Sequence, residues 1–133
     1  MNNNKALSWD WTESQVLEDE IITAARTAAV EMGAAPVSPA TGAALRMLSA
    51  ACGAKAVFEI GTGAGVSGLY LLSGMSENGV LTTIDSESEF QQAARTAFRL
   101  ATQKSNRTRL INGHALEGPV SYTHLTLPTT PYV

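Results

Sequence analysis

The residues best placed to do chemistry lie in one run, Phe58-Glu59-Ile60-Gly61-Thr62-Gly63-Ala64-Gly65-Val66-Ser67. Glycine at every second position lets the backbone turn tightly and come close to a ligand. A helix starting after such a turn would offer unpaired N–H groups from its first turn. The run joins an apolar stretch to a helix-like one. In open α/β folds that junction, at the carboxyl end of a parallel sheet, is where ligands bind.

Two ligand chemistries compete for the loop. Gly63, Gly65 and Gly68 match G-x-G-x-x-G, the pattern that cradles the pyrophosphate of a dinucleotide. That pattern wants the strand to lead directly into its first glycine, and Gly61-Thr62 intervene here. Glu59, Gly61, Gly63 and Gly65 spell E-x-G-x-G-x-G instead. A carboxylate at the end of a buried strand is costly unless it is partnered. It would repel a pyrophosphate and attract a ligand carrying an amino group and a sulfonium. Glu59 therefore tips the reading toward S-adenosylmethionine and away from NAD.

Asp85 ends the next apolar stretch, Val80–Ile84. A carboxylate there can accept hydrogen bonds from both hydroxyls of an adenosine ribose, which serves either nucleoside. The alternative is an N-terminal cap for the helix expected from Ser86. Ser67 stands at a helix start, as a cap or as a ligand contact. His114 follows a third strand, where it could approach an adenine or simply be exposed. No Ser-His-acid set can be assembled, and no pair of His, Cys or carboxylates has convincing metal spacing. The sequence therefore offers no catalytic residue and no metal ligand.

The elements that would position these residues follow from periodicity and punctuation. Residues 1–11 read as a polar tail carrying Trp9 and Trp11. Thr12 and Gln15 have capping-box spacing, and one helix is expected from there through Met32, stopped by Gly33. Ser38 and Pro39 suit the start of a second helix, which runs to about Cys52. Ala54–Ile60 reads as a buried strand, Val66–Met75 as a helix and Val80–Ile84 as a strand. Ser86 to about Lys104 is a long amphipathic helix with Phe90, Ala94, Ala97, Phe98 and Ala101 on its apolar side. Thr108–Asn112 is a third strand. Strands alternating with helices predict right-handed βαβ units. The fold class is α/β, the N-terminal part of a Rossmann-like doubly wound parallel sheet of about three strands, preceded by two helices.

Bulk properties narrow the function classes. The chain has 133 residues, enough for one modest domain, with 44% hydrophobic and 16% charged residues. A net charge of −3 argues against a nucleic-acid or membrane-surface partner. Five of the nine basic residues fall between Arg95 and Arg109 and read as a solvated face. Cys52 is the one cysteine, which fits a reducing compartment. The first residues lack the basic flank and apolar run of a signal peptide, and no stretch approaches the ~18 apolar residues of a membrane span. The expected location is the cytoplasm. From Gly118 to Val133 there is no Asp, Glu, Lys or Arg, and three of the five prolines lie there.

At its glycine loop and strand ends the chain resembles the class I methyltransferases. It is most similar to the bacterial, notably actinobacterial, relatives of catechol O-methyltransferase. The supporting runs are PVSPATGAALRMLSA (Pro36–Ala50), FEIGTGAGVSGLYLL (Phe58–Leu72), GVLTTIDSESEFQQAAR (Gly79–Arg95) and INGHALE (Ile111–Glu117). The resemblance implies that Val37 lines the methyl-donor end of an S-adenosylmethionine site. It implies that Glu59, Gly61, Thr62, Gly63 and Ser67 contact the methionine part and adjoining backbone, and that Asp85 takes the ribose. Gly113-His114-Ala115 matches the position beside the adenine, with Ala115 at the contact; many methyltransferases carry Asp where His114 stands. The family continues with further strands, seven in all, and with acidic residues that hold magnesium against a small, often aromatic, hydroxylated substrate. Many members form homodimers.

On this resemblance residues 12–117 form an incomplete S-adenosylmethionine-binding domain, and residues 118–133 a disordered, non-native tail of translated adapter or vector sequence. The chain itself is then expected to be inactive. The competing expectations are a fragment of an NAD-binding oxidoreductase and a non-enzymatic nucleotide-binding module.

Overall fold

The computed structural model describes residues 3–115. Three helices come first: α1 (Asn3–Ser14), α2 (Glu20–Glu31) and α3 (Pro39–Ala51). Then β1 (Ala56–Ile60), α4 (Val66–Gly74), β2 (Val80–Asp85), α5 (Ser88–Thr102) and β3 (Thr108–Asn112) alternate. The tail expected over residues 118–133 lies outside the described residues.

The N-terminal region differs from expectation. One helix was expected from Thr12 to Met32, after a polar tail; instead α1 begins at Asn3 and a break at residues 15–19 separates it from α2. The break has a local cause. Asp19, in extended conformation, accepts the Ile22 N–H at 2.8 Å and caps α2, with Glu20 in the first turn. The Thr12–Gln15 pair thus sits at the end of α1 rather than at a helix start. Helix α1 buries no residue, and Trp9 and Trp11 are exposed. Its anchor is Glu13, whose carboxylate accepts the Ala40 N–H at the start of α3, at 2.8 Å. At α3 the expected cap holds: Ser38 Oγ accepts the Thr41 N–H at 3.3 Å.

The sheet is parallel throughout, in the order β1-β2-β3. Val57 pairs with Leu81 and Leu81 with Thr108, which fixes which side chains share a face. Both crossovers run in the same direction along the sheet, so right-handedness sends α4 and α5 to the same face. Leu81 packs there against Val66, Leu69, Ala94 and Phe98, the centre of the core. Helix α4 lies between the sheet and the N-terminal helices and is apolar on nearly all sides. Its contact with α3 is close because Gly74 is bare: a Cβ there would lie 2.1 Å from the Arg46 carbonyl oxygen.

Strand β1 is less covered than its apolar sequence implies. It was expected to be buried, yet Ala56 and Ile60 are exposed, Ile60 by 61%. The reason is topological: among the described residues β1 has one neighbour, β2, and stands at the sheet edge. In a doubly wound sheet this is the position where strand order reverses and ligands bind.

The basic stretch also resolves. Arg95, Arg99 and Arg109 are exposed, as a solvated face requires. Arg107 is not part of that face. Its guanidinium donates to the carbonyls of Leu72, Ser76 and Gly79, pinning the turn between α4 and β2.

Candidate functional site

The carboxyl ends of the three strands are stitched together by backbone. Gly61 N–H donates to the Ile84 carbonyl at 2.8 Å, and Gly113 N–H to the Asp85 carbonyl at 3.0 Å. Between them runs the glycine loop, in which Gly61, Gly63 and Gly65 all have positive φ. At Gly65 the requirement is double. Its φ is +98°, and a Cβ would approach Ala94 and Phe98 at 3.2 Å. A side chain there would push the loop off α5.

Two cavities open on this edge and meet at Gly61. The first lies over the ends of β2 and β3, against Ile84, Asp85, Gly113, His114 and Ala115. The second lies between the glycine loop, from Gly61 to Ser67, and the loop after α2, with Ala34, Pro36 and Val37 forming the opposite wall. Of the residues singled out in the sequence, Asp85 and Ala115 line the first cavity and Val37, Thr62, Gly63 and Ser67 line the second. His114, left open between two readings, is exposed and borders the first.

Asp85 organises both cavities. Its Oδ2 accepts the Gly63 N–H at 2.9 Å, and its Oδ1 accepts the Glu87 N–H at 2.9 Å. The second bond is an Asx turn, so Asp85 does not cap α5; Glu87 holds the cap position and makes no side-chain bond. The two backbone bonds leave lone pairs on both carboxylate oxygens for further donors, such as paired hydroxyls.

Glu59 lines neither cavity. Oε2 accepts from Ser67 Oγ at 2.6 Å and Oε1 from Thr83 Oγ1 at 2.7 Å. Thr83 Oγ1 is in turn 2.8 Å from Thr62 Oγ1. Burial pushes the Glu59 carboxyl above its usual range, the two hydroxyls oppose that shift, and the charge of Asp85 adds to it. Glu59 thus lies partly buried beneath the loop, held by hydroxyls and without a salt-bridge partner among the described residues. It is tied to the loop directly through Ser67 and, by way of Thr83, through Thr62.

Sequence reasoning did not single out Thr83. The register supplied a signal, since Thr83 pairs directly with Glu59 across β1 and β2. It also missed a network tied to the second cavity through the Val37 carbonyl. Arg26 on α2 forks onto Glu18 at 2.5 and 2.9 Å, Tyr70 Oη on α4 donates to Glu18 at 2.7 Å, and Arg26 also donates to the Val37 carbonyl at 2.7 Å. Glu18 and Tyr70 are 52 residues apart, so no local pattern reveals the pair. Arg26 and Tyr70 hold the Glu18 carboxyl below its usual range. Burial, helped by Glu18, pushes the Tyr70 phenol up to about 12.

Among the described residues no group of three or more His, Cys, Asp or Glu side chains converges on a metal position, and no helix is long and apolar enough to cross a membrane. The arrangement is instead a recess beside a carboxylate, adjoining at Gly61 a slot lined by the glycine loop, with a second, partly buried carboxylate bonded to Ser67 of that slot.

Comparison with known proteins agrees with this geometry. A sequence profile described as O-methyltransferase matches residues 7–119. An O-methyltransferase relative from Mycobacteroides abscessus is 57% identical over 105 residues, covering 79% of this chain and 49% of its own length. One from Mycolicibacterium vanbaalenii is 58% identical over 105 residues, 79% of this chain and 46% of its own. The chain thus spans about half the length of the curated relatives it matches. A crystal structure of a Corynebacterium glutamicum protein superposes with a TM-score of 0.80 at 32% identity, covering 90% of this chain and 56% of that one. The O-methyltransferase TomG from Streptomyces achromogenes, solved in complex with S-adenosylmethionine, superposes with a TM-score of 0.78 at 25% identity, over 98% of this chain and 58% of that one. The chain belongs to the O-methyltransferase family, with its Rossmann-like α/β fold.

Proposed function

We propose that this chain is the S-adenosylmethionine-binding half of an enzyme that methylates a hydroxyl group of a small, aromatic molecule. The observation that carries the reading is the pair of carboxylates at the sheet edge: Asp85 lining the recess and Glu59 partly buried beneath the adjoining slot, bonded to its Ser67. A ligand with ribose hydroxyls at one end and a cationic sulfonium and amino group at the other meets favourable chemistry at both. An NAD pyrophosphate over Glu59 does not. S-adenosylmethionine complexed with TomG supports the same choice.

In the complete enzyme the acceptor oxygen attacks the methyl carbon in line. The carbon–sulfur bond breaks, its electron pair stays on sulfur as a thioether, and the hydroxyl proton is lost. Such a transfer is helped mainly by positioning. The residues of this chain would hold the donor; those expected to bind magnesium and the acceptor belong to the family's second half. Homodimerisation and a cytoplasmic setting, consistent with the single, unpaired Cys52, are part of the same reading. A continuation encoding a further strand and a terminal Asp in the genomic DNA downstream of Glu117 would support truncation.

Calorimetry with S-adenosylhomocysteine and NADH, accompanied by circular dichroism, tests the ligand choice. Binding of the homocysteine compound, no binding of NADH, and no methyl transfer by this chain alone are expected. With β1 at an exposed edge, the melt is expected below ~45 °C, the low end for mesophilic domains. Preference for NADH would overturn the ligand assignment.

A further inference from the structure

The wall of the slot opposite the glycine loop is a short stretch without regular structure, residues 34–37, joining α2 to α3. Its placement is not left to the loop itself. The Val37 carbonyl is held by Arg26 Nη1, while Arg26 Nε and Nη2 donate to the Glu18 carboxylate. Glu18 is fixed from the other side by the Tyr70 hydroxyl, and the Tyr70 ring is buried. Tyr70 stands one turn after Ser67 on α4, the helix that grows out of the glycine loop. Both walls of the slot are therefore tied to one cluster, which joins α2, the 34–37 loop and α4. The Glu18 and Arg26 side chains are only 11% and 23% exposed, so water competes little for these bonds. Arg46, stacked 5.6 Å from the Tyr70 ring centre, is the other charge beside the cluster.

We infer that Arg26, through Glu18 and Tyr70, is a positioning residue that sets the width of the slot for the amino-acid and sulfonium end of the methyl donor. The inference rests on the proposed function and adds a residue remote from the glycine loop to it. The guanidinium plane is what suits Arg26 to this role. It satisfies a carboxylate fork and a carbonyl at once, which an ammonium on a flexible stem cannot do with fixed geometry.

The test measures binding of S-adenosylhomocysteine, which fills recess and slot, and of adenosine, which fills the recess alone, by calorimetry on the full chain. Arg26→Ala is expected to weaken S-adenosylhomocysteine about tenfold or more while leaving adenosine within about twofold, the loss expected of a charge-assisted hydrogen bond. Millimolar guanidinium should restore part of the lost affinity by occupying the vacated site. Tyr70→Phe removes one bond and keeps the ring; it should move the two ligands apart in the same sense, by about threefold. Equal losses for both ligands, or no loss for either, would overturn the positioning role. Wild-type protein that binds adenosine but not S-adenosylhomocysteine would overturn the reading of the slot itself, and this inference with it.

Discussion

The two cavities at the sheet edge are held in different ways. The recess over β2 and β3 is set by the strands: Gly61 and Gly113 donate to the two carbonyls at the end of β2, and Asp85 bridges to Gly63 and Glu87. The slot has one such wall, the glycine loop. Its other wall depends on side chains from α2, α4 and the segment before α2. A recess made of strand ends stands wherever the sheet pairs. A slot closed by an ion pair stands only while the helices keep their mutual places. The nucleoside end of a ligand should therefore be bound by the more robust part of the site, and the methyl-donor end by the more easily disturbed one.

Replacing Asp85 should have the largest effect and should blur this distinction. Asp85→Ala removes the acceptor for two backbone N–H groups and for any ribose hydroxyls. Each bond to a charged acceptor contributes about 1.5–3 kcal/mol. Adenosine and S-adenosylhomocysteine should both weaken by about 30-fold or more, in calorimetric titration. An unchanged adenosine affinity would show that the recess is not the nucleoside site. Asp85→Asn, which keeps one acceptor oxygen, should lie between the two.

A smaller effect, with a pH signature, is expected at Glu59. Its folded-state carboxyl titrates above the ordinary value because it is buried, with Asp85 as the nearby like charge. An acid raised in this way makes the fold most stable below its unfolded-state value. That advantage is lost as pH rises through the folded-state value. Above that folded-state value the fold carries the cost of a desolvated charge. Glu59→Gln keeps a group that can bond to both hydroxyls and removes the charge. The variant should melt a few degrees higher than wild type at pH 7, an effect of about 1 kcal/mol. The difference should close as pH falls toward 4.5, the ordinary carboxylate value. The same substitution should weaken S-adenosylmethionine more than its uncharged thioether product, because the sulfonium is lost between them. Equal weakening would mean that Glu59 shapes the loop without contributing its field.

How much of this was legible in the sequence follows the same division. The glycine loop, Asp85 and the βαβ order are local features, carried by residue type, spacing and alternation, and the structure contains them where the sequence put them. The break between α1 and α2 was not legible in the same way. Thr12–Gln15 has capping-box spacing, yet it is Asp19 that caps α2, and the Glu18 beside it turns inward to Arg26 and Tyr70. That contact spans 52 residues and has no periodic trace. Strand β1 misled for a related reason. Apolar sequence reports what a strand is suited to pack against, while Ile60 is exposed because no strand beyond β1 is present among the described residues. Asp85 was read as either a ribose acceptor or a helix cap. The structure gives it an Asx turn and a bond to the loop, because α5 starts only at Ser88.

The smallest expected effect is at His114, and it sharpens the comparison from the recess side. His114 borders the recess, yet its side chain is exposed and its placement there comes from the backbone, where Gly113 bonds to Asp85. An exposed imidazole pays for its contacts with water and gains little from a stacked or edge-on base. His114→Ala should change adenosine affinity by less than about threefold, in line with an exposed polar contact. His114→Asp would offer an acceptor to the exocyclic amine of adenine. It should strengthen adenosine over inosine, whose six-position oxygen cannot donate. Measuring the two nucleosides against the three side chains separates a base-reading position from a bystander. If adenosine and inosine respond alike to all three, the recess recognises the sugar through Asp85 and leaves the base to the apolar surface of Ile84 and Ala115.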